Sequence, residues 1–135
     1  MKQKFARFAL LMALCAVPAG ASAKTALEGQ WRNPKGSVTV RLAPCGDAFC
    51  GTVVEASTKA KATARKGGTP KLIGTRILTG VRAAGSGEYK GRAFDPKRNI
   101  HAPATIRLLG PSTLLIKGCV LRGIVCKEQR WTRVS

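Results

Sequence analysis

The sequence predicts an all-β chain, a single small antiparallel barrel or sandwich of about eight or nine short strands. Three observations carry that expectation. Apolar and polar residues alternate with period two over stretches such as 37–42 and 88–94, as a half-buried strand requires. Turn signals built from Gly, Pro, Asn and Ser recur roughly every 8–12 residues. Four cysteines fall in two close pairs, Cys45 with Cys50 and Cys119 with Cys126, each where two β-rich segments would fold back on each other.

Taken in order, Gly29-Gln30-Trp31 opens the first strand and Asn33-Pro34-Lys35-Gly36 is a turn. Over 37–42, Val38, Val40 and Leu42 share one face, with Thr39 and Arg41 on the other. The Cys45/Cys50 hairpin follows, and 52–55 continues its second arm. Residues 57–70 read as a basic loop without a core face and as the most mobile segment, in which a short helix over 56–65 is permitted by Ala and Lys. Strand content returns over 72–81, with Ile77 and Leu78 as core candidates, and 83–87 is a turn. The next strand, 88–94, puts Tyr89 opposite Glu88 and Lys90, and Asp95 to Asn99 form a turn with Pro96 at a favoured position. Strands over 104–109 and 113–120 flank a Gly110-Pro111-Ser112 turn, and 124–134 closes the chain after Gly123. The expected apolar interior comprises Val38, Val40, Leu42, Val53, Ile77, Phe94, Ile106, Leu108 and Leu115.

Residues 1–23 have the layout of a cleavable bacterial secretory signal, with Lys2, Lys4 and Arg7 before an apolar run and Ala21-Ser22-Ala23 at the cleavage site. The rival reading is a retained anchor. Cleavage after Ala23 predicts a periplasmic protein of one domain, residues 24–135, with no transmembrane span. Cys15 leaves with the signal, and the four remaining cysteines are expected to pair locally as Cys45–Cys50 and Cys119–Cys126, because hairpin arms bring the Cβ atoms close enough. The alternative is a zinc site built from all four thiolates, against which stand the missing C-x2-C spacing and the export signal. The full chain carries +18; three of its 24 Lys and Arg and none of its six acids lie in 1–23, so the exported part carries +15. Such a charge attracts polyanions. The sparse aromatics offer no stacking platform for single-stranded nucleic acid, which makes nucleic acid an unexpected partner.

Gly29-x-Trp31, Cys45-Gly46-x-x-x-Cys50-Gly51, the Gly91-x-x-x-Asp95-Pro96 turn, Gly118-Cys119 and the closing Arg130-Trp131-Thr132-Arg133 together resemble the DUF2147 family of exported bacterial proteins. The resemblance covers about residues 27–134. It implies a lipocalin-like (calycin-type) barrel, into which the two expected hairpin disulfides fit. It further implies that Trp31 packs under Arg133 or Arg130 to close one barrel end, a structural cation–π contact. Tyr89 stands where many members carry a Trp before the glycine, and His101 where an aromatic is usual after the Asp-Pro turn.

No residue set compels a reaction. His101 is the only histidine, Asp95 is expected to cap its own turn, and nothing in the spacing makes Glu88, Asp95 and His101 converge. Nucleophile-elbow, zinc-protease and phosphate-loop motifs are missing, and Cys45/Cys50 is too widely spaced for a C-x-x-C redox pair. The expected function is therefore non-enzymatic, with no cofactor and no metal: binding of a small apolar or amphipathic ligand, with an anionic, lipid-like one suiting the basic charge. Val40, Tyr89, Phe94, His101 and Arg107 are the candidate ligand contacts. The alternative is a basic interaction module for an anionic envelope surface or an acidic partner protein.

Overall fold

The computed structural model describes residues 25–135; the signal segment expected over 1–23 lies outside the described residues. Eight strands follow in chain order: β1 Gly29–Arg32, β2 Val38–Cys45, β3 Ala48–Ala56, β4 Arg76–Gly85, β5 Glu88–Asp95, β6 Ile100–Leu108, β7 Thr113–Val120 and β8 Val125–Arg133. One helix, α1 Thr58–Lys66, lies between β3 and β4. Each strand pairs antiparallel with the next, and β8 returns to β1 through Trp31–Arg133 and Arg32–Thr132, closing the barrel. Closure leaves no strand edge open to another chain. The disulfides are Cys45–Cys50 and Cys119–Cys126.

The up-and-down path sends successive connections to alternate ends. One end holds the β2–β3, β4–β5 and β6–β7 turns and both ends of the described chain; the other, the mouth, holds the 33–37 turn, the 57–75 connection with α1, the 96–99 turn and the 121–124 turn. The first end is sealed. Leu27 and Trp31 are fully buried there, and the Trp31 indole N–H donates to the Leu27 carbonyl at 3.0 Å. The Arg133 guanidinium lies 4.2 Å from the Trp31 ring centroid and donates to the carbonyls of Glu28 and Pro111, both at 2.8 Å, and of Ala26. Arg133, rather than Arg130, is thus the basic residue over Trp31; Arg130 faces outward, exposed. Above this seal pack Leu42, Val40, Val53, Leu78, Val81, Ile106, Leu114 and Trp131.

Turn chemistry matches the sequence in two places. The Asn33 side-chain oxygen accepts from the backbone N–H of Ser37 and Val38 at 2.8 and 3.0 Å, fixing the first turn. Ser86 and Gly87, with φ of 51° and 73°, make a two-residue link between β4 and β5 that suits the twist of the strands. The expected turn over 83–87 is accordingly shorter, because β4 runs on to Gly85, and β4 starts at Arg76 rather than at 72.

Three expectations about facing are corrected. Phe94 is not interior: it has the parity of Glu88 and Arg92 and stacks on His101 outside the barrel, centroids 4.7 Å apart. Leu115 also faces outward, and its neighbour Leu114 is the fully buried one, paired with Trp131. Thr39 does lie on the outer face, opposite Arg32 and Glu55, and it is buried there because Arg32 covers its hydroxyl.

The third correction concerns residues 57–70, which do have a core face. Ser57 caps α1, its hydroxyl accepting from the Ala60 N–H at 3.1 Å, and Arg65 and Lys66 complement the dipole in the last turn. Ala60 and Ala64, four residues apart, are buried in the core cluster with Leu72. The helix spans the mouth: the Ser57 N–H donates to the Ser37 carbonyl at its start, and the Thr69 hydroxyl donates to the Pro96 carbonyl beyond its end. Gly67 sits hard against the Lys97 backbone, where a Cβ would drive into the Lys97 carbonyl. Gly67→Ala should therefore cost about 2 kcal/mol, or roughly 8–10 °C of melting temperature, although its φ of −80° suits alanine. An unchanged melting temperature would mean that α1 is not seated on the 96–99 turn.

Candidate functional site

Register fixes what lines the barrel. Starting from the fully buried Ile106, the inward-facing residues on β5 to β8 form tiers that climb towards the mouth. Leu108, Leu114 and Trp131 come lowest, then Tyr89, Ile106, Ile116 and Gln129. Next come Gly91, Ala104, Gly118 and Lys127. Ala93 and Ala102, then Val120 and Val125, complete the wall. Side-chain volume falls sharply between the second tier and the third. Large residues fill the sealed half, and glycine and alanine line the mouth half.

The space at Gly118 shows the result. A Cβ built there would meet no heavy atom closer than the Pro103 carbonyl oxygen at 4.0 Å. At Gly51, in the filled half, a Cβ would touch Val40, Leu78 and Leu42 at 3.0–3.3 Å. Ala102, Gly118, Val120 and Gln129 keep partial exposure although their positions face inward. The mouth half on the β6–β8 side is thus an open cup. Ile116 and Gln129 form its floor, and the Gln129 carbonyl oxygen accepts from the Trp131 indole N–H at 3.1 Å, which orients the amide. Lys127, exposed and directly across from Gly118, places a cation on the wall. The chemistry on offer is a shallow apolar surface with one amide and one ammonium group, suited to an amphipathic anion.

Two further depressions lie on the outer surface. An open groove of about 550 Å³ runs beside α1, with Arg32, Thr39, Glu55, Lys61 and Ile73 on its walls. A smaller one of about 280 Å³ flanks the Cys45–Cys50 bridge near Arg41 and Arg76. Neither enters the barrel.

The five candidate ligand contacts do not come together. Val40 is buried in the filled half. Tyr89 faces inward and meets Phe49 edge-on, centroids 6.5 Å apart. Phe94 and His101 are on the outer face, and Arg107 is outside too, paired with Glu88 at 2.9 Å. Glu88 and Asp95 occupy opposite ends of β5, so they share no site; Asp95 accepts from the Lys97 N–H at 3.0 Å, capping its own turn. The cysteine pairs also sit at opposite ends of the barrel, which excludes one zinc site from all four. Among the described residues, no group of three His, Cys, Asp or Glu is placed to hold a metal ion. Asp47, fully exposed, accepts from Arg82 at 2.8 Å, and this hydrogen bond and charge hold its carboxyl below the usual range.

The small wall residues are what sequence reasoning missed. Ala102-x-Ala104, at period two, was the available signal; Gly91 is small for another reason, because a Cβ there would meet the Thr79 carbonyl oxygen at 2.8 Å and Val81 at 2.9 Å.

Comparison with known proteins matches the present fold. A family model described as an uncharacterized protein conserved in bacteria (DUF2147) matches residues 29–133. Among solved structures, the chain resembles protein HP1028 from the human pathogen Helicobacter pylori, described as belonging to the lipocalin family. The TM-score is 0.63 at 17% identity, over 81% of this chain and 83% of that one, a likeness of fold. No curated protein matches the sequence.

Proposed function

The chain belongs to the DUF2147 family of bacterial proteins, and on that premise we propose that it is an exported, non-enzymatic carrier that holds a small amphipathic anion in the mouth of its barrel. The observation that carries this reading is the unfilled space in front of Gly118, on an inward-facing wall of small residues. The lipocalin-like fold supports it, because small closed barrels with an open end hold single ligands there. The apolar tail rests against Ala102, Ile116 and Val120, and Lys127 meets the anionic head. Export supports the same picture: the 1–23 segment acts as the signal, the domain of residues 24–135 matures in the periplasm, and both disulfides suit that oxidising compartment.

Titration with laurate, a single-chain carboxylate, tests the site. Gly118→Leu should weaken laurate binding by about tenfold or more while shifting the melting temperature by less than about 3 °C, because the new side chain enters open space. Equal affinity of the variant and the parent would remove the cup as the binding site.

A further inference from the structure

Positive charge and the most exposed apolar side chains gather at one end of the barrel, while Leu109 and Val134, 43% and 41% exposed, lie at the other. The four mouth connections, 33–37, 57–75, 96–99 and 121–124, carry nine Lys or Arg and no Asp or Glu. The segments at the sealed end, 25–28, 46–47, 86–87, 109–112 and 134–135, carry no Lys or Arg and two acids, Glu28 and Asp47. The molecule is therefore electrically polar along the barrel axis, positive at the mouth. A field of this shape turns the mouth towards a negatively charged plane.

The tip of the β7–β8 hairpin adds the second feature. Ile124 is 82% exposed, Leu121 69% and Val125 51%, and Ile100, at the start of the neighbouring β6, is 41% exposed. Leu121 and Arg122 adopt left-handed backbone, with φ of 52° and 55°, where asparagine or glycine is the usual choice. The turn thus keeps a bulky apolar side chain where a small polar one would be easier. The Cys119–Cys126 bridge, immediately below, ties the two arms of the hairpin into a firm wedge. Arg122 and Lys127 bracket the apolar tip, and Lys97 and Arg98 lie in the adjacent turn at the same end.

We propose that the mouth end docks on an anionic phospholipid bilayer, with Leu121, Ile124 and Val125 seated among the headgroups and the surrounding bases against the lipid phosphates. The charge complementarity selects an anionic lipid, and the protruding apolar tip selects an interface that yields to a wedge, as a bilayer does. A flat acidic protein face would satisfy the bases and leave the tip without a recess. The docking surface shares Val125 and Lys127 with the cup, whereas Leu121 and Ile124 at its tip take no part in the cup, so substitutions at those two test docking separately.

The barrel closes within residues 25–135, so the test uses the chain without residues 1–23, whose apolar run would itself bind lipid. Partition is measured by co-sedimentation with phosphatidylcholine vesicles containing about 30% phosphatidylglycerol, and with pure phosphatidylcholine vesicles. The parent should bind the anionic vesicles about tenfold more strongly or better. The double variant Leu121→Asn, Ile124→Ser should lose about tenfold of that binding. Its turn suits asparagine, so its melting temperature should not fall. As a second readout, an Ile124→Trp variant should shift its emission to the blue on anionic vesicles, against the buried Trp31 and Trp131. Equal binding to both vesicles, undiminished binding of the double variant, or unshifted emission from the Ile124→Trp variant would each overturn the proposal. Capture of an acidic protein with no vesicle binding would overturn it in favour of a protein partner.

Discussion

Trp31→Ala should lower the unfolding free energy by about 4 kcal/mol and the melting temperature by roughly 15–20 °C. Trp31 is fully buried at the sealed end, so the truncation opens a large cavity that the closed barrel cannot collapse around. It also strands the Leu27 carbonyl, which accepts the indole N–H at 3.0 Å, and removes the ring beneath Arg133. A domain of this size has about 5–15 kcal/mol in hand, so the variant sits near the edge of folding at 37 °C. Trp31→Phe keeps a ring under Arg133 and loses the N–H donor, and should cost less than half as much. Thermal unfolding followed by circular dichroism checks both. A Phe variant as unstable as the Ala variant would show that the hydrogen bond, and not the buried ring, holds this end.

Arg133→Met should cost about 3 kcal/mol, the second largest effect. Arg133 is near the end of β8 and yet binds three carbonyls of two other segments, Ala26 and Glu28 from the chain entry and Pro111 from the β6–β7 turn. Methionine fills similar volume but leaves those acceptors without their donor and the Trp31 face without its cation. The entry segment then loosens, so the amides of residues 25–30 should exchange faster than those of β3 and β5. Arg133→Lys keeps the charge but not the planar fork that reaches several acceptors at once, and should recover less than half of the loss. Full recovery by lysine would mean that charge alone, not the multidentate geometry, closes the barrel.

Much of this architecture was legible in the sequence, for local reasons. Val40 and Leu42 alternate with solvent-facing Arg41, Asn33 announces its turn, and paired cysteines at short spacing imply hairpins. Failures came where local pattern was silent. Thr113-Leu114-Leu115-Ile116 has no alternation that separates Leu114 from Leu115; the pairing of Leu114 with Trp131 decides it. Phe94 shares the face of Glu88 and Arg92 by simple alternation, and stacking on His101 covers part of it outside the barrel. The burial of Thr39 on its expected outer face depends on Arg32 of the partner strand, which no single strand sequence reveals.

The helix and the cup share one lesson about size. Ala60 and Ala64 gave no visible apolar stripe, yet two small residues one turn apart are what lets α1 lie close across the mouth. The aromatic and charged candidates Phe94, His101 and Arg107 lie outside the barrel. A binding space is marked as much by what is small. Gly118 contributes by leaving volume empty, and only the register shows that it and the half-buried Ala102 face the same side of the wall.

The most direct test of a ligand-holding mouth is the native mass of the exported protein, purified gently, beside the Gly118→Leu variant prepared in the same way. The expected result is a parent protein carrying a small amphipathic anion that is lost on denaturation, and a bare Leu variant. A parent that is bare as purified, and stays bare after incubation with laurate, would contradict the cup as a binding site.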